Sequence, residues 1–312
     1  MSPFSQQGRN VHPTQTWLQR AWGNAYLLMV LTTLMWAGNA VASRLAVGNI
    51  SPMMLTSLRW VAVCAIMPWL LRDQLRTHWP VLRAHWRLIA LLGALGFTTF
   101  NTLMYLAAYS TSAINIGILQ GSIPVFVLMG AFLVFRTRIT LMQGIGVAVT
   151  LLGVVVTASR GDIHTLTAFR FVPGDVLMII ACVLYAGFTV GVRKRPPVPG
   201  LVFFIAMASF ACIASLPLLA TEIALGRSYI PTTQGWLILA FTVIFPSMVS
   251  QLSFMRAIEL IGPGRAGVFV NLVPVFAPIL AVLIIGEPFG LYHALALVLV
   301  LGGIFIAERL GR

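Results

Sequence analysis

Apolar residues fall in ten blocks of about 20, broken by short polar or charged stretches. A hydrocarbon layer about 30 Å thick is crossed by about 20 apolar helical residues. The pattern therefore predicts spans at 24–47, 52–71, 88–109, 112–135, 139–158, 174–192, 200–220, 234–258, 264–285 and 289–308. The breaks differ in kind. Those after the first and third blocks hold no charge, and the one after the ninth is Gly286-Glu287-Pro288. Those after the second, fourth and sixth carry arginine: a basic loop with Arg72, Arg76, Arg83 and Arg87 against one Asp73, then Arg136 and Arg138, then Arg193-Lys194-Arg195. Assigning alternate breaks to opposite faces gathers these with Arg9, Arg20, Arg256, Arg265, Arg309 and Arg312. Only Arg160, Arg170 and Arg227 fall on the other face. By the Lys/Arg excess of cytoplasmic loops, both termini are expected in the cytoplasm.

The chain also repeats itself. Gly117 to Phe126, GILQGSIPVF, returns in degenerate form as Gly267 to Phe276, GVFVNLVPVF. That offset pairs Gly117 with Gly267, Pro124 with Pro274, Ala131 with Ala281 and Gly153 with Gly303. An offset one residue shorter pairs Trp36-Ala37-Gly38 with Tyr185-Ala186-Gly187, Pro68 with Pro217 and Tyr105 with Phe254. Repetition read this way divides the chain into an N-terminal tail at 1–23, a first five-helix repeat at 24–158, an extracytoplasmic loop at 159–173 and a second repeat at 174–312. Five spans is an odd number, so the second repeat enters the membrane upside down. The expected fold is an all-α membrane protein, with ten transmembrane helices as two inverted five-helix repeats. That architecture suits alternating access to a site near the midplane.

Composition sharpens this picture without changing it. Hydrophobic residues make up 59% of the 312, charged residues 9%, and mean hydropathy is +0.94, which excludes an ordinary soluble domain. The net charge of +13 sits in short clusters between apolar runs, not on an aromatic-interleaved surface, so no nucleic-acid partner is expected. Cys64, Cys182 and Cys212 lie inside apolar runs and read as small hydrophobes. The first apolar run is too long for a signal-peptide core and is expected to remain as a span.

Four motifs carry a resemblance over nearly the whole chain: Trp36-Ala37-Gly38, Leu58-Arg59-Trp60, Tyr105 to Pro124 with Thr111-Ser112-Ala113 inside it, and Pro274 followed by Gly286-Glu287. On these the chain resembles the ten-helix EamA branch of the drug/metabolite transporter superfamily. Within that branch it is most similar to bacterial exporters of aromatic amino acids. The resemblance implies efflux of amino acids across the bacterial inner membrane without ATP. It departs in the first half, where Arg136-Thr137-Arg138 stands in place of a Gly-Glu pair. The alternative cargoes are nucleotide sugars or organic phosphates, taken by exchange, or another small amphipathic metabolite. A phosphorylated cargo calls for several deep basic residues, and only Arg59 is deep, at the eighth residue of its span.

Polar and aromatic residues in mid-span are the candidates for substrate contact. Trp36 and Asn39 share a helical face, as do Asn101 and Tyr105. Gln120 lies four residues before Pro124, and Tyr185, Gln251, Phe254 and Asn271 follow in the second half. Each buried amide must find a partner in a neighbouring helix, a water-filled cavity or a substrate. Trp36, Tyr105, Tyr185 and Phe254 are expected to wall a cavity for an apolar or aromatic side chain. Arg59 either holds a substrate carboxylate or is bound structurally to carbonyls. Pro124 and Pro274 each free a carbonyl one turn back and are candidate hinges. All seven acids fall in loops or within a few residues of a span end, which argues against a carboxylate proton relay in mid-membrane. Nothing resembles a Walker A run, HExxH, GxSxG or a cysteine-histidine cluster. Neither an enzyme, a cofactor nor a metal is expected, and the partners are a small-molecule substrate (an amino acid) and membrane lipids, with no obligatory protein partner.

Overall fold

A computed structural model of the chain describes residues 21–162, 164–165 and 171–310. The tail expected at 1–23 and the loop expected at 159–173 fall partly outside these residues. Ten helices long and apolar enough to cross a membrane run Ala25–Ala46, Pro52–Leu70, Trp86–Ala107, Ala113–Phe135, Leu141–Ser159, Pro173–Val192, Gly200–Ala224, Thr233–Ile261, Arg265–Ile285 and Leu291–Glu308. They are numbered span one to span ten below. The chain is an all-α membrane protein of two inverted five-helix repeats.

Local chemistry sets several of the starts. Ser112, in extended conformation, accepts the Asn115 N–H at 3.0 Å and opens span four. Thr140 opens span five with a capping box, its Oγ1 accepting from Gln143 N while Gln143 Oε1 accepts from Thr140 N. Span seven runs four residues further than its hydropathy suggests, so Glu222 is a helical residue and not a loop residue. The basic loop expected after span two is largely helix as well: Arg72–Ala84 forms a bridge helix leading into span three.

The packing is two-fold throughout. Span two lies on span seven, where Ser57 Oγ donates to the Ser215 carbonyl at 3.0 Å. Span one packs on span eight as span six packs on span three, and spans five and ten form a third pair. In that last pair a Cβ on Gly153 would stand 2.8 Å from Val300 Cγ2, and one on Gly303 would stand 2.2 Å from Thr150 Oγ1. Two glycines related by the repeat thus let the same two backbones approach from opposite sides, as close helix contacts in lipid require.

Four departures from regular helix also obey the repeat. Span four is broken at Gly121-Ser122 into Ala113–Gln120 and Ile123–Phe135. Span nine is broken at Asn271-Leu272 into Pro263–Val270 and Val273–Ile285. At each break the helix tightens to three-residue hydrogen bonds, with Ser122 N donating to Leu119 O and Leu272 N to Phe269 O, and proline follows as the second residue of the next segment. Spans three and eight each loosen into a π-helical segment instead, Ala94–Thr99 and Ile244–Val249, at the same repeat offset.

Candidate functional site

Arg59 sits on span two among residues of both repeats, with 4% of its surface exposed. Its Nε donates to Ser247 Oγ at 2.6 Å. Its Nη1 donates to Asn101 Oδ1 at 2.7 Å, to Tyr105 Oη at 2.7 Å and to Asn39 Oδ1 at 3.4 Å. Tyr105 in turn donates to Asn39 Oδ1 at 3.4 Å. Spans one, two, three and eight therefore meet at one guanidinium.

Both π segments serve this cluster. Ser247 lies in the second one, and its hydroxyl, which takes the Arg59 hydrogen bond, donates to Thr242 O five residues back. Phe97 lies in the first one. Its carbonyl accepts Asn101 Nδ2 at 2.6 Å, which leaves the Asn101 oxygen facing Arg59. A π turn shifts the side-chain register by one position, and such turns recur at functional sites.

No carboxylate lies within ion-pair distance of Arg59 among the described residues. The charge is carried by neutral oxygens, and a buried cation without a counter-ion attracts an anion strongly. Two donors here are also left over. Arg59 Nη2 makes no hydrogen bond within the described residues, and the buried Trp60 Nε1 has no acceptor. The Trp60 ring stacks on Phe97 with centroids 4.9 Å apart, and Arg59 Cζ lies 5.2 Å from the Trp60 centroid.

Aromatic rings extend from this point in one continuous cluster. Phe97 contacts Phe188 and Phe204, each at 5.6 Å, and Tyr185 lies 4.8 Å from Phe100 and 5.1 Å from Phe188. Trp36 and Phe254 form a separate pair 5.3 Å apart, and Trp36 Nε1 donates to Ser250 Oγ at 3.0 Å. The expected aromatic wall is thus distributed between two places, joined through span eight by Ser247 and Ser250.

Arg59, Asn39, Asn101 and Tyr105, all singled out from the sequence, come together. Gln120 turns its amide back to Ile116 O at 3.3 Å, and Asn271 donates to Glu308 at 3.3 Å near the end of span ten. No hydrogen bond joins Gln120, Gln251 or Asn271 to the Arg59 cluster. Ser247, Trp60 and Phe97 belong to the site although the sequence did not mark them as contacts. Trp60 alone carried a signal, as part of Leu58-Arg59-Trp60.

The three buried or half-buried acids on the arginine-poor face have a different task. Glu222 accepts Ser51 Oγ at 2.6 Å and the Met53 and Met54 N–H groups at 3.2 Å, capping span two from span seven. Glu287 accepts the Ala113 and Ile114 N–H groups at 2.9 and 3.0 Å, capping span four, and lies 4.0 Å from Arg44. Asp175 accepts from Thr111 and Asn115 beside the same helix start. A carboxylate on the unsatisfied N–H groups of a helix start is favoured by charge and by hydrogen bonding together. On this face spans four and nine press together so closely that a Cβ on Gly117 would stand 2.3 Å from Ala277 Cβ. On the arginine-rich face the other halves of the two spans separate: Ile123–Phe135 packs on span six, and Pro263–Val270 on spans one and eight. The repeat partner of Glu287 is Thr137, and among the described residues no side chain caps the first turn of span nine.

Known proteins resemble this chain across nearly its whole length. It is 24% identical over 289 residues to an uncharacterized transporter, YyaM, of Bacillus subtilis (strain 168), covering 91% of this chain and 93% of the relative. It is 24% identical over 319 residues to an uncharacterized transporter of Methanothermobacter thermautotrophicus, covering 93% and 87%. A solved structure described only as a crystal structure of protein shares the fold, with a TM-score of 0.62 at 22% identity over 92% of this chain and 98% of its own. The EamA-like transporter family matches the chain twice, at residues 23–159 and 172–308. A duplicated match of that extent, on ten spans related by an inverted repeat, makes this chain a member of the EamA-like transporter family.

Proposed function

We propose that this transporter exports amino acids, aromatic and other apolar ones foremost, from the cytoplasm of a bacterium across its inner membrane by alternating access. The observation that carries the reading is Arg59, a buried guanidinium with no carboxylate partner among the described residues and a free Nη2. A substrate carboxylate supplies the missing anion and takes the donors left over at Arg59 and Trp60. The adjoining cluster of Phe97, Phe100, Tyr185 and Phe188 offers apolar surface to a side chain. One deep cation suits a monocarboxylate better than a diphosphate.

In this reading the arginine-rich face is cytoplasmic, both termini lie on that side, and the described conformation is closed to the outside by Glu287, Gly117 and Ala277. Export requires that seam to open while the arginine-rich halves of spans four and nine close. Pro124 and Pro274 supply the hinges, because the helices are already broken beside them. The test is counterflow in liposomes loaded with unlabelled amino acid, comparing radiolabelled phenylalanine, lysine, glutamate and a nucleotide sugar. Saturable phenylalanine counterflow is the expected result. Exchange of the nucleotide sugar with no flux of any amino acid would overturn the cargo.

A further inference from the structure

The bridge helix Arg72–Ala84 is about 20 Å long, at 1.5 Å per residue, and joins the end of span two to the start of span three. Both of its ends are therefore held at the membrane boundary on the arginine-rich face. Leu75 and Leu82 pack into the protein core, as does Leu71 just before it. Arg72, Arg76, Trp79 and Arg83, at spacings of four, three and four, lie within about 60° of arc and are exposed. The stripe has one acidic neighbour on the helix, Asp73.

Tryptophan accompanies this charge. Trp69, Trp79 and Trp86 are 75%, 62% and 51% exposed. Indole rings in such positions belong at headgroup level, where one edge is wet and the other apolar. Each end of the bridge helix also opens into a cleft. One, of about 460 Å³, is lined by Arg83, Ala84, His85, Trp86, Arg87 and Leu88. The other, of about 290 Å³, is lined by Pro68, Trp69 and Arg72. Both combine guanidinium and indole, donors for a phosphate beside a surface for glycerol and upper acyl carbons.

We propose that the bridge helix is a binding site for anionic phospholipid, with phosphate groups held by Arg72, Arg76 and Arg83 and the tryptophans seated at the headgroup level. The site rests on the membrane-spanning fold and is independent of the cargo. Its consequence is an anchor that fixes the end of span two, and so Arg59 on the same helix, relative to the bilayer surface.

The test is native mass spectrometry of the detergent-purified full chain titrated with phosphatidylglycerol and with phosphatidylcholine. Each arginine beside a bound phosphate contributes roughly fivefold and one headgroup reaches two of them, so the tightest phosphatidylglycerol site is expected to exceed phosphatidylcholine by on the order of 25-fold. Arg72→Gln/Arg76→Gln/Arg83→Gln should bring the two lipids within about threefold of each other, whereas the corresponding lysine triple should keep most of the preference. Neutralising Arg193, Lys194 and Arg195 should leave the tightest site intact. Equal binding of the two lipids to the natural chain would overturn the proposal. So would a glutamine triple that keeps the preference, a lysine triple that loses as much as the glutamine one, or a loss that is the same whichever basic cluster is neutralised.

Discussion

Replacing Gly117 by alanine should loosen the closed face of the transporter. The added Cβ stands 2.3 Å from Ala277 Cβ and 3.5 Å from Ala277 Cα. Non-bonded carbons rest at about 3.5–4.0 Å, so the two helices must part by roughly 1–2 Å at this level. Neither atom sits on a rotatable side chain, and no rotamer change relieves the clash. Overpacking of this kind costs about 1–3 kcal/mol. Charged to the closed state alone, that cost raises the population opened on the arginine-poor face by roughly 5–150-fold. The readout is alkylation of a cysteine at Ile114, fully buried in the closed state, by an impermeant maleimide added from that face, in a background without the three natural cysteines. The rate should rise at least fivefold over that of the otherwise identical protein carrying Gly117. An unchanged rate together with a lowered melting temperature would refute the reasoning, because the alanine would then strain the molecule without opening the seam.

Other perturbations test neighbouring parts of the account. Glu287→Gln removes the charge from the cap on span four and its contact with Arg44, and should raise the same alkylation rate about fivefold, by loss of about 1 kcal/mol. Arg136 occupies a left-handed conformation, φ 52°, at the position related by the repeat to Gly286, φ 67°; Arg136→Gly should stabilise the protein by about 1 kcal/mol, read as a rise of a few degrees in melting temperature. Replacing Pro124 and Pro274 together by alanine should slow transport more than it weakens substrate binding, and equal losses in both would dismiss the hinges. Trp36→Phe keeps the ring against Phe254 but loses the donor to Ser250, and should alter KM for phenylalanine by less than the tenfold or more expected when Tyr105→Phe removes a hydroxyl from the Arg59 cluster, a loss of about 1.5–3 kcal/mol.

Much of the fold is legible in the sequence because burial in lipid writes itself as composition. Ten apolar blocks correspond to ten spans, and the Pro124 and Pro274 repeat marks the two helices that break. The bridge helix is obscured because its arginines read first as charge, although Leu71, Leu75 and Leu82 against Arg72, Arg76 and Arg83 already have a helical period. The π segments are of another kind: they differ from α-helix by one hydrogen-bond register, and although Pro246, which has no N–H to donate, marks Ile244–Val249 as irregular, no residue in Ala94–Thr99 announces its counterpart. Arg59, Asn39, Asn101 and Tyr105 could be selected because polar groups in mid-span are expensive. Ser247 and Phe97 could not, since a serine or phenylalanine in a span is ordinary until the register brings it to a cation. The long reach of Glu222 to Met53 and of Glu287 to Ala113 is likewise hidden, because a helix start advertises its need for a cap but not which distant acid fills it.

The central claim is that a substrate carboxylate completes the Arg59 cluster. It is tested most directly by competition against radiolabelled phenylalanine flux in liposomes holding the purified protein, using phenethylamine, which lacks the carboxylate, and 3-phenylpropionate, which keeps it. Inhibition by 3-phenylpropionate, with phenethylamine at least tenfold weaker, is the predicted result. Phenethylamine competing as well as unlabelled phenylalanine would contradict the account.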